Sequence, residues 1–293
     1  MRVVVVVVAL AAAACGAAAP AGGDAAGPAG VEGAAGTSSE GSGGEAEAAS
    51  ACRLDAPWPA GVPEGGDAAA LHALGQGRIM ARDGQGAVTI LSRAALAAPD
   101  DATVLADLGT ALLQCGMCGD AIARIRRGAE LDPKNVDLMA NLAQAHQICG
   151  DIPKSVATYR EATVLAPEDP GLRNNLAVVL IVTGDLAGAE SEARRAAELV
   201  PSSATYLVNL GYIQSRRGDL PGAEETLRRA LVIDPRSADV HNQLGVVLAG
   251  AGRSEEALAE FRKALENDPE HHGAGENLRA LEVPARNAAD ELP

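Results

Sequence analysis

Between residues 68 and 271, apolar and polar positions recur at a fixed spacing. Prolines stand at Pro99, Pro133, Pro167, Pro201, Pro235 and Pro269, each 34 residues after the one before. With the proline counted as position 32, units begin at residues 68, 102, 136, 170, 204 and 238 and follow one another without insertion. Position 7 is always leucine: Leu74, Leu108, Leu142, Leu176, Leu210 and Leu244. Position 8 is small (Gly75, Gly109, Ala143, Ala177, Gly211 and Gly245), position 20 is alanine or Ser155, and position 27 is alanine or glycine.

Positions 4, 7, 8 and 11 fall on one face of a helix, so each unit is predicted to open with a helix whose apolar stripe needs a partner. Glycine inside a helix costs about 1 kcal/mol relative to alanine. Four glycines at position 8 therefore predict a close helix approach, with the small residues at positions 20 and 27 on the other side. Gly116, Gly150, Gly184, Gly218 and Gly252 are placed to stop the first helix, Asp151, Asp185 and Asp219 to start the second, and the proline to stop that one. Each unit is then a helical hairpin. One hairpin cannot bury both of its faces, so neighbours must stack into an all-α solenoid.

These columns resemble the tetratricopeptide repeat over 204 of the 293 residues. The resemblance implies a right-handed superhelix of helix-turn-helix repeats at 68–101, 102–135, 136–169, 170–203, 204–237 and 238–271. The first unit is degenerate, with Arg78 at a usually apolar position and an Arg82-Asp83-Gly84 turn, and reads as a full repeat or a cap. Residues 275–282 (GENLRALE) repeat the start of another unit and then stop. A capping helix is expected over 272–283 and a tail over 284–293.

In this family the stacked first helices line a hollow, with positions 2, 5, 6, 9, 12 and 13 facing in. Here position 6 supplies Asp107, Asn141, Asn175, Asn209 and Gln243, and position 5 adds Asn174 and Asn242. Carboxamides donate and accept together, which suits the backbone of an extended peptide. Gln144, Val178, Tyr212 and Val246 at position 9 and Ile181 at position 12 complete a partner-binding floor. Positions 2, 5 and 9 carry no Lys or Arg, so a carboxylate clamp of the chaperone-tail kind is disfavoured. Basic pairs gather instead at positions 25 and 26 (Arg126 with Arg127, Arg194 with Arg195, Arg228 with Arg229, Arg262 with Lys263), a solvated face balanced by acids.

Ahead of the repeats, MRVVVVVVALAAAAC sets Arg2 before an apolar run from Val3 to Ala14. Twelve residues suit a signal peptide, whereas about 20 are needed to span the hydrocarbon core. The end of residues 1–14 resembles the lipobox of bacterial lipoproteins, which implies cleavage before Cys15 and its lipidation, although Ala12 stands where that family usually has Leu. Residues 16–50 are nearly all Gly, Ala, Ser, Pro and acid, so 15–50 is expected to be a disordered tether. Residues 51–67, with Cys52 and Trp58, are expected to form an extended strap leaning on the first helix.

Charge narrows the function. With 24 basic and 39 acidic residues the net charge is −15, and nothing offers the basic stripe that nucleic acid requires. Aromatics make up 2% of the chain, too few for base-stacking or sugar-binding walls. Gly-rich stretches follow no strand, HExxH and nucleophile-elbow motifs are missing, and His271-His272 is an isolated pair. Neither an enzymatic activity, a cofactor nor a small-molecule substrate is expected.

The cysteines leave three readings open. Cys115 and Cys118 form CxxC, and His146 and Cys149 follow, a possible Cys3His zinc set. Small buried thiols at repeat positions would look the same. Hairpin stacking would also bring Cys118 beside Cys149, a pair that can oxidise in an exported protein. The function expected from these features is a lipid-anchored scaffold on the bacterial envelope, on the outer membrane facing the periplasm. It would bind a protein or peptide, touch the membrane through its lipid alone, and assist assembly of a pilus or secretion complex as pilotin-like lipoproteins do. The alternative is a redox or metal module built on the four residues Cys115, Cys118, His146 and Cys149.

Overall fold

In the computed structural model, residues 52–54, 56–59 and 66–290 are described, the last eight by backbone alone. The apolar leader, Cys15 and the tether lie outside the described residues. The hairpins are α1 (Ala68–Met80) with α2 (Gly84–Ala97), α3 (Ala102–Gln114) with α4 (Cys118–Leu131), α5 (Val136–Ile148) with α6 (Ile152–Leu165), α7 (Pro170–Thr183) with α8 (Leu186–Leu199), α9 (Ala204–Arg216) with α10 (Leu220–Ile233), and α11 (Ala238–Gly250) with α12 (Ser254–Asn267). A final helix, α13 (His272–Asp290), packs on α12. Each helix packs on its sequence neighbours, and most first helices also touch the next first helix, as α3 does α5. The molecule is an all-α solenoid whose core is a chain of neighbour contacts.

Local signals fix the hairpins. The five turn glycines take φ between 71° and 85°, the left-handed conformation in which a helix end is best closed by glycine. In the first hairpin Arg82 holds the equivalent place at φ 56°. Second helices start on Asp83, Asp151, Asp185 and Asp219, each accepting a bond from a backbone N–H three residues on. First helices have caps that the sequence reading missed: Asp67, Asp101, Asn135, Asp169, Ser203 and Ser237 all accept first-turn N–H groups. Each such cap contributes about 1 kcal/mol.

The close approach at position 8 exists, and position 20 lies across it as expected: a Cβ on Gly109 would stand 2.9 Å from the Ala121 carbonyl oxygen and one on Gly211 3.5 Å from that of Ala223, while a second partner fills more of the space. A Cβ on Gly109 would stand 2.3 Å from Ile125 Cγ1, one on Gly211 2.8 Å from Leu227 Cγ, and one on Gly245 2.5 Å from Phe261 Cε1. The large side chain at position 24 thus fills the space that glycine leaves. Position 20 meets the backbone of the first helix at position 8, and Ser155 there donates to the Ala143 carbonyl at 2.8 Å.

The capping helix runs further than expected, and the described part of the strap leans on α2 and the end of α3. Gln85 accepts from the Arg53 N–H and donates to the Arg53 carbonyl, Arg93 stacks 4.6 Å over Trp58, and Cys52 is bonded to Cys115. At the other end α13 continues past residue 283 to Asp290. The alanine-rich 285–289 segment has the propensity to extend it. Leu278 and Leu281 cover the core beneath. Gly109→Ala is expected to cost roughly 1 to 3 kcal/mol, because the new methyl overlaps Ile125 and sits 2.9 Å from the Ala121 carbonyl oxygen; urea unfolding checks it.

Candidate functional site

The first helices present positions 6, 9 and 13 on the side away from their second helices, since positions 7 and 8 face inward. Along this face runs a register of side-chain pairs 35 residues apart, joining position 5 of one hairpin to position 6 of the next. His72 meets Asp107 at 2.7 Å, Asn209 donates to Asn174 at 2.6 Å, and Asn277 donates to Asn242 at 2.9 Å. Gln76 also donates to Asp107.

This register corrects part of the expected amide row. Asn174 is fully buried and Asn209 is 5% exposed, so the two face each other within the stack rather than a ligand. Asn242 is engaged by the capping helix. Where position 5 is Ala106, Ala140 or Val208, the amide that follows has no such partner. Asn141 and Gln243 consequently make no side-chain hydrogen bond among the described residues, and Asn175 lies beside the buried Tyr159 phenol. Partial exposure at Asn141, Gln144, Asn175 and Gln243 leaves these amides on the open face.

The apolar floor is partly open too. Val178, Ile181 and Tyr212 are half-buried, the latter two resting on the core. Val246 is 36% exposed, and Val182, at position 13, is 55% exposed. Met80 and Ile148, also at position 13, are open and were not singled out by their residue type. Arg216 holds that position in the next hairpin after Val182.

The four cysteines among the described residues form two disulfides. Cys118 bonds to Cys149 across two stacked hairpins with a Cα separation of 5.7 Å. Cys115 bonds to Cys52. In the repeat register Cys115 and Cys149 are equivalent, and Gly84 occupies the place in the first hairpin that Cys118 has in the second. The strap therefore supplies the sulfur that the first hairpin lacks. With these sulfurs paired, no thiolate remains to ligate zinc, which removes the Cys3His and free-thiol readings of Cys115, Cys118, His146 and Cys149. His146 is instead a core residue at position 11, where alternate hairpins have Leu112, Leu180 and Leu248; its Nδ1 is buried without a partner. Burial lowers its pKa from 6.5, against the attraction of Asp151 and with the repulsion of Lys154 and Arg126.

Basic columns on the second helices are largely neutralised. Arg127 pairs with Asp100, Arg195 with Glu168 and Arg262 with Glu282. Buried Glu190 bridges Arg194 to Arg217, and Glu224 bridges Arg228 to Arg253, so each carboxylate clips two consecutive hairpins. No helix of the described residues is long and apolar enough to cross a membrane.

A family model described as tetratricopeptide repeat matches residues 107–170, 149–204, 174–238 and 208–272. The comparison with curated proteins gives no match. Among solved structures, MamA is 22% identical, covering 59% of this chain and 94% of its own, with a TM-score of 0.52. YrrB, described as having an unusual peptide-binding site, is 21% identical, with 63% and 95% coverage and a TM-score of 0.51. The pilF protein of Pseudomonas aeruginosa is 15% identical, with 71% and 95% coverage and a TM-score of 0.60. At these identities the likeness concerns the fold.

Asn209→Ala is expected to cost roughly 1 to 3 kcal/mol in urea unfolding, since it strands the buried Asn174 amide, while Asn141→Ala should change stability by less than about 0.5 kcal/mol. The His146 imidazole protonates more readily unfolded, near its ordinary 6.5, than folded. Its contribution is whole above that pH and is lost as the pH falls below it toward the lower folded value. His146→Leu should therefore flatten the decline in melting temperature between pH 7 and pH 5 relative to wild type.

Proposed function

Because the chain belongs to the tetratricopeptide repeat family, whose stacked hairpins serve as protein-interaction scaffolds, we propose that it holds an extended polypeptide along the open face of its first helices. The observation that carries this reading is the combination on one face of exposed Ile148, Val182 and Val246 with the unpartnered amides Asn141 and Gln243. Apolar side chains of a ligand would be desolvated on the former while its backbone is read by the latter. YrrB, described as a peptide-binding protein on the same fold, is consistent with this use.

The scaffold is exported and held by a lipid on Cys15. Support comes from the leader sequence and from the cysteine usage: the chain has five cysteines, and every one after Cys15 is in a disulfide. Such pairing belongs to oxidising compartments. The tether of 35 residues would let the solenoid stand roughly 30 Å from an outer-membrane surface facing the periplasm. From there it would assist assembly of a larger envelope complex of the pilus or secretion kind.

The test is affinity capture from native envelopes with the full-length protein carrying Val182→Asp and Val246→Asp together, compared with Val164→Asp on the outer face. The groove pair should reduce recovery of the captured polypeptide more than tenfold and the outer variant should not. Undiminished recovery by the groove pair, with loss from Val164→Asp, would overturn the assignment.

A further inference from the structure

The open face carries one permanent cation. Of the 36 residues at positions 2, 5, 6, 9, 12 and 13, Arg216 is the sole Lys or Arg. It is exposed at the end of α9 and forms no ion pair among the described residues, unlike Arg217 beside it, which is bound to buried Glu190. Its Nη1 donates to the Tyr212 hydroxyl at 2.8 Å, and its guanidinium carbon stands 5.7 Å from the centre of that ring. Tyr212 in turn rests on the core. The guanidinium is thus held by a fixed neutral platform, with its charge unspent and further N–H groups free to donate.

Its surroundings define what it would accept. On the preceding hairpin the floor is Val178, Ile181 and open Val182; on the following one it is Val246. Apolar ground therefore lies on both sides of the cation along the stacking direction. A bound chain that continues across all three hairpins places an internal side chain, not its last residue, over Arg216. We propose that the groove selects a segment bearing one internal Asp or Glu flanked on both sides by apolar side chains, with the carboxylate taken by Arg216. This rests on the groove reading above and specifies the chemistry of its occupant. A planar guanidinium meets a carboxylate through two parallel N–H···O bonds, and partial exclusion of water by the flanking valines strengthens them. In a chain of net charge −15, an acidic segment would otherwise be repelled, so the site confers selectivity against the general field.

Fluorescence anisotropy with the purified full-length protein tests this, using end-blocked peptides with a Leu-Val-Glu-Val-Leu centre, the Gln and Lys versions, and a version ending Leu-Val-Leu with a free terminal carboxylate. Wild type should bind the Glu peptide roughly fivefold more tightly than the Gln peptide, a gap that narrows as salt rises. Arg216→Gln should close that gap by weakening the Glu peptide alone, and Arg216→Glu should turn the preference toward the Lys peptide. Equal binding of Glu and Gln peptides, a gap that survives Arg216→Gln, or preference for the free terminal carboxylate would each overturn this inference while leaving the groove in place. If no peptide binds, or binding is unaffected by Val182→Asp with Val246→Asp, the groove reading fails and takes this inference with it.

Discussion

The contact between position 8 of each first helix and position 24 of its second helix sets the geometry of everything else. Where position 8 is Gly109, Gly211 or Gly245, the backbone of the first helix lies directly against Ile125, Leu227 or Phe261. The residues in these two columns vary in size, Ala177 with Ala193 in the fourth hairpin and Ala143 with Tyr159 in the third, and all four are buried. That contact fixes how each first helix is rotated about its axis, and rotation decides which columns face the open side. A helix with positions 7 and 8 turned inward necessarily turns positions 6, 9 and 13 outward. The groove is thus a consequence of core packing rather than an independent feature.

Stacking then divides the outward columns into two kinds. A polar residue at position 5 engages the position 6 residue of the next hairpin, as His72 does Asp107 and Asn174 does Asn209. Alanine or valine at position 5 leaves the next amide unpaired. Buried hydrogen-bonded amides specify register at modest net stability, because their alternative is an unsatisfied polar group. The partner-free amides have no such structural task. Further clips at the hairpin edges, the two disulfides toward the amino-terminal end and the Glu190 and Glu224 bridges beyond, hold the array together from outside.

The hairpin boundaries were legible because glycine, aspartate and proline act locally: φ near 80° at Gly150 or Gly184 needs nothing beyond its own residue type. The Cys118–Cys149 pair was one of three readings because its partners are set by stacking, which the repeat register makes visible. Cys52 was not assigned, since the strap has no repeat to place it. The fates of Asn174 and Asn209 were hidden for a different reason. Identical residue types at position 6 are buried or open according to the residue 35 places earlier, so a column read by itself cannot separate Asn209 from Asn141. The partner at position 24 escaped because its residues, Leu91, Ile125, Tyr159, Ala193, Leu227 and Phe261, differ in size from one hairpin to the next.

The central claim is that a polypeptide lies along the outward columns of the first helices. Site-specific photocrosslinking in the native cell distinguishes the faces, with the reactive side chain placed in turn at Val178, Val182, Val246 and, on the outer surface, Val164. Adducts to one common polypeptide are expected from the three groove positions, and none to it from residue 164. Adducts to that polypeptide from residue 164, with the groove positions silent, would contradict the claim.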